Sequence, residues 1–68
     1  MSLLNALIEE SRRRGLGIRV WNSHEEASVW PDGTVTWGCT DGATVDVEAL
    51  LAGEHRRELF EAPTQIGD

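Results

Sequence analysis

The chain has 68 residues, enough for one small domain with no second core. Twelve Asp and Glu against six Arg give net −6 and a pI near 4.7, which excludes the basic field that general duplex nucleic-acid binding needs. Cys39 is the single cysteine, so a disulfide scaffold is excluded, and a chain this short then leans on a metal or a partner chain.

Ser2 is placed to cap a helix running to about Arg14. Leu4, Leu7, Ile8 and Ser11 fall at i, i+3, i+4 and i+7, one apolar stripe on a charged cylinder. Glu9 with Arg13 and Glu10 with Arg14 are i,i+4 pairs in the favourable order. Gly15 stops the helix, with Arg12, Arg13 and Arg14 at the negative end of its dipole. Leu16–Asn22 then reads as a strand, Ile18 and Val20 to one side and Arg19 and Trp21 to the other.

After a polar connection at residues 22–25, Ala27–Trp37 predicts a hairpin around Pro31-Asp32-Gly33. Proline presets φ, aspartate bonds the backbone ahead of it, and glycine takes a positive φ without steric cost. A three-residue loop closed by Gly33 pairs Trp30 with Thr34, Val29 with Val35, Ser28 with Thr36 and Ala27 with Trp37. Ala27, Val29, Val35 and Trp37 then form a core face, and Ser28, Trp30, Thr34 and Thr36 the other. Pairing of the first strand with Glu26–Trp30 brings Val20 to the core face and Trp21 beside Trp30.

Thr40-Asp41-Gly42 is a second turn signal, followed by a short fourth strand at 43–45 or by direct entry into a last helix. Asp46 caps that helix, and Val47, Leu50 and Leu51 are its apolar stripe. Gly53 ends it or sits inside it, and Glu54–Glu61 resumes helical character. A continuous helix puts His55 between Leu51 and Leu59, at the margin of the core. Pro63 forbids continuation, so residues 1–62 form the domain and 63–68 a flexible tail. The expected fold is α+β: an N-terminal helix, an antiparallel meander of three or four strands and a C-terminal helix. Both helices lie on one face and the other face is open.

The open face carries the functional expectation. Trp21, Trp30 and Arg19 are residue types enriched at interface hot spots, with Ser28, Thr34 and Thr36 supplying adaptable hydrogen bonds around them. The reading is a non-enzymatic acidic interaction module that binds a protein partner or itself as a homodimer. One variant occupies the basic, nucleic-acid-binding surface of its partner. The alternative is a single-stranded nucleic-acid binder stacking bases on Trp21 and Trp30 beside Arg19 and Arg12–Arg14. Against it stand the net charge and the role of that arginine run at a helix end.

His24-Glu25-Glu26 reads as a solvated loop and Cys39 as a small buried thiol. An enzyme assembled across a subunit interface with His55 or Cys39 is the third class, and no substrate is suggested. Cys39, His24 and His55 lack metal-ligand spacing, no phosphate-loop, dinucleotide or calcium-loop motif occurs, and so no metal or cofactor is expected. No apolar run approaches the ~20 residues of a membrane span, and Leu3–Ile8 is too short for a signal peptide, so a cytoplasmic location off the membrane is expected.

Overall fold

A computed structural model describes residues 2–42 and 44–61. Helix α1 spans Leu3–Arg14 and starts where the sequence places its cap, the Ser2 side chain accepting from the Asn5 amide at 2.9 Å. Gly15 ends it in the left-handed conformation, φ 69°. Of the predicted stripe, Leu7 and Ser11 are buried, and Leu4 and Ile8 pack against the core. Ser11 is 0% exposed, and its hydroxyl donates to the Leu16 carbonyl at 2.6 Å, which satisfies the buried oxygen. Glu10 meets Arg14 at 2.9 Å as expected, whereas Glu9 meets Arg12 at 3.4 Å rather than Arg13.

Strands β1 (Gly17–Trp21), β2 (Glu25–Val29) and β3 (Val35–Cys39) form an antiparallel meander. The hairpin register is the predicted one, Val29 opposite Val35, Ser28 opposite Thr36 and Ala27 opposite Trp37. Its turn works as the tripeptide implies. The Gly33 amide donates to the Trp30 carbonyl at 2.9 Å with φ 94° at Gly33, and the Asp32 carboxylate accepts from the Thr34 amide at 2.8 Å. The Thr34 bonds hold the Asp32 carboxyl below its ordinary range.

Helix α2 (Val47–Ala52) is capped by Asp46, buries Val47, Leu50 and Leu51, and ends at Gly53. Here the chain departs from the sequence reading. Glu54–Glu61 is not helical: Arg56–Phe60 forms strand β4, antiparallel to β1, and the sheet order is β3-β2-β1-β4. The last helix is therefore internal, and the fourth strand comes from 56–60 rather than from 43–45. Thr44 and Val45 are outside any strand, Val45 is buried in the core, and Ala43 lies outside the described residues. The reason is that β1 had one edge unpaired, and pairing its backbone outweighs the helical spacing of Leu51, His55 and Leu59. The expected tail at 63–68 also lies outside the described residues.

Both helices lie on one face of the sheet, giving the α+β fold. The core joins Leu7 of α1 and Val47, Leu50 and Leu51 of α2 to Ile18, Val20, Ala27 and Val29 of the central strands. Each of these Val, Leu and Ile side chains, fully buried, stabilises by roughly 1.5–3 kcal/mol. Glu48 ties the helices together at their ends. Its carboxylate leaves α2 to accept the amides of Leu3 (3.0 Å) and Leu4 (2.7 Å) at the start of α1. The Leu4 amide is the main cause of a Glu48 pKa held below the usual carboxylate value.

Trp37 corrects the expected core. It stands on the helix-bearing face opposite Ala27, yet it is 52% exposed. β3 is an outer strand, and the helices pack over β1 and β2. Among the described residues no helix is long and apolar enough to cross a membrane.

Candidate interaction surface

The face away from the helices is built from alternate residues of four strands, and the register arranges them in three rows. One row runs Gly38, Glu26, Trp21, Arg56; the next Thr36, Ser28, Arg19, Glu58; the last Thr34, Trp30, Gly17, Phe60. All six residues singled out from the sequence (Trp21, Trp30, Arg19, Ser28, Thr34 and Thr36) therefore share this face.

They do not form one cluster. Trp21 pairs with Glu26, four positions along β2 from Trp30, so the expected Trp21–Trp30 neighbourhood is replaced by two separate aromatic sites. At strand spacing the gap is about 13 Å. Trp30 instead meets Phe60 edge to face, ring centroids 5.6 Å apart at 74°. The Phe60 ring reaches over Gly17, the glycine between the two aromatics in the row. A Cβ there would come under 3.0 Å from three carbons of the Phe60 ring. Phe60 was missed because it was assigned to a helix; the glycine opening a strand was the available signal.

Trp21 has different company. The Arg19 guanidinium lies over its ring at 4.8 Å from the centroid and bonds the Glu26 carboxylate at 2.8 Å. The missing side chain at Gly38 leaves a shallow hollow between Arg19, Trp21, His24 and Glu26. A second hollow opens on the other side of Trp21, walled by Glu54, His55 and Arg56. Trp21 is a half-buried ridge between two depressions.

The remaining candidates fall elsewhere. His55 sits in the connection before β4, its Nδ1 2.9 Å from the Gly53 carbonyl oxygen, not at the core margin of a helix. His24 is exposed, its amide and that of Glu25 both bonded to the Asn22 side chain at 2.8 Å. Cys39 is half-buried, and its thiol donates to Asp41 at 2.9 Å. Arg12, Arg13 and Arg14 end α1, and the Arg12 guanidinium reaches the hairpin turn after Trp30, 3.5 Å from where a Cβ on Gly33 would stand and close enough to act on the Asp32 carboxylate. Among the described residues no three His, Cys, Asp or Glu side chains are grouped as a metal site requires.

No protein-family model matches the chain, and no match was found among curated proteins or among solved structures.

Proposed function

We propose that the chain is a non-enzymatic interaction module that binds another protein through the open sheet face, with Trp21 as its anchor. The observation that carries this reading is the ridge itself: an aromatic ring standing between two hollows, braced by Arg19 and Glu26 and left uncovered by either helix. A partner side chain entering either hollow would pack against the indole, and one entering the first would also desolvate the Arg19–Glu26 pair, the environment in which tryptophan and arginine carry binding energy. Around the ridge Arg56, Glu26, Glu54 and Glu58 mix both signs, so the partner surface is polar and of mixed charge rather than uniformly basic. Ser28 and Thr36 add hydroxyls on the flat part of the face.

Trp30 has the lesser role, since its ring is already in contact with Phe60. Single-strand nucleic-acid binding draws less support, because the arginine that reaches the hairpin turn, Arg12, meets the Asp32 carboxylate there and the chain carries net −6. The test is affinity capture with immobilised wild type, Trp21→Ala and, as a control on the helix face, Leu59→Ala. The expected outcome is a protein retained by wild type and by Leu59→Ala and lost with Trp21→Ala. Retention unchanged by Trp21→Ala overturns the reading.

A further inference from the structure

The two edges of the sheet are built differently. β4 carries Arg56, Arg57 and Glu58 along its length, the charged guard that keeps an outer strand from pairing with another chain. β3, Val-Thr-Trp-Gly-Cys, has no charge and no proline. The Trp30 amide donates to the Thr34 carbonyl at 2.9 Å and the Thr40 amide to the His24 carbonyl at 3.2 Å, so the even-numbered residues of β3 bond to β2. By the alternation of an antiparallel ladder, the N–H and C=O of Val35 and Trp37 point outward from the sheet. The same two residues put their side chains on the helix-bearing face, where Val35 is half-buried and Trp37 is 52% exposed.

From this we infer that β3 pairs antiparallel with β3 of a second copy of the chain, across a twofold axis at Thr36. This edge adjoins the Trp21 ridge, whose first hollow is bordered by Gly38 of β3, but the inference does not rest on that reading. In this register Val35 of each copy exchanges both backbone hydrogen bonds with Trp37 of the other. Each exposed indole then covers the valine of the second copy, an aromatic on β-branched pair.

A second copy fits better than a foreign strand because the arrangement is self-complementary: one patch supplies both halves of every pair, as a twofold contact requires. Two chains of net −6 can approach here because the paired strands themselves carry no charge. The charged β4 edge does not accept β3, so assembly stops at two copies with one continuous sheet. A contact of one short strand lies at the small end of specific interfaces, so the dimer is weak, with a dissociation constant on the order of micromolar.

The experiment is sedimentation equilibrium of the full chain over a dilution series into the millimolar range, with two variants. Trp37→Lys places a charge on the edge without touching a buried position, and it reduces the magnitude of the chain's net negative charge of −6 by one. It is expected to be a monomer with the wild-type melting curve, whereas wild type and Trp21→Ala dimerise equally. In a Cys39→Ser background, Thr36→Cys is expected to give a covalent dimer under mild oxidation, because cysteines facing each other across the axis come within disulfide reach. A wild type monomeric at every concentration overturns the inference. So does a dimer that Trp37→Lys leaves intact, or the absence of the Thr36→Cys crosslink in a folded sample.

Discussion

Gly17 gives the sharpest test of how the open face is held together. Gly17→Ala would push a methyl group into the Phe60 ring, against three ring carbons closer than real Cβ contacts allow. The backbone on both sides is paired, Gly17 with Phe60 and Ile18 with Leu59, so the ring must swing away rather than the strand. Overpacking of this kind costs about 1–3 kcal/mol. The edge-to-face contact with Trp30, worth about 0.5–1.5 kcal/mol, is lost in the same movement. Against this, alanine gains about 0.5–1 kcal/mol over glycine inside a strand. The expected net loss is about 2 kcal/mol, read from urea unfolding followed by tryptophan fluorescence and circular dichroism. In a Phe60→Ala background the obstacle is gone, and the same substitution should turn neutral or stabilising by up to about 1 kcal/mol. That change of sign is the decisive result. Equal penalties in the two backgrounds, or a stabilising Gly17→Ala in the wild type, would refute the account of Phe60 lying over the glycine.

Two further predictions follow from bonds inside the helical layer. Glu48→Gln removes the charge that receives the Leu3 and Leu4 amides. Because the folded-state pKa lies below the ordinary 4.5, the contribution is present above that value and lost as pH falls through the folded pKa. Thermal melts should therefore show the variant less stable than wild type at neutral pH, with the gap closing below about pH 4.5. A gap that persists at low pH would assign the effect to something other than the charge. Ser11→Ala strips the donor from the Leu16 carbonyl beneath the helix and should cost about 1–2 kcal/mol in the denaturant midpoint. An unchanged midpoint would mean that the bond is replaced.

The hairpin could be read from the sequence because two independent signals agree there. The Pro-Asp-Gly turn and the alternation around it demand the same register, and a slip of one residue would invert both faces. β4 offered neither signal. Leu59 and Phe60 are adjacent, so they point to opposite faces, and the three charged residues before them alternate with nothing apolar. What makes that segment a strand is the open side of β1, a property of the folded chain. Trp37 shows a second limit: pattern assigns a residue to a face, but burial depends on how far two short helices reach across it. Trp21 was placed on the right face and given the wrong neighbour, because the length of the Asn22–Glu25 connection sets which end of β2 it meets. The Glu48 bridge was invisible for a similar reason, since its two ends are 45 and 44 positions apart.

The position of β4 also bears on the order in which the molecule can be assembled. β1 lies in the interior of the sheet, but its second neighbour is synthesised after every other described element. Until Arg56–Phe60 arrives, the nascent meander exposes two unguarded edges instead of one. β4 is thus a late-closing clasp with a charged outer side, and the chain is most prone to aberrant association in the interval before it shuts. A chain cut after Ala52 should accordingly grow without limit in dynamic light scattering where the full chain does not; a well-behaved small species from that fragment would show that β4 is dispensable as a guard.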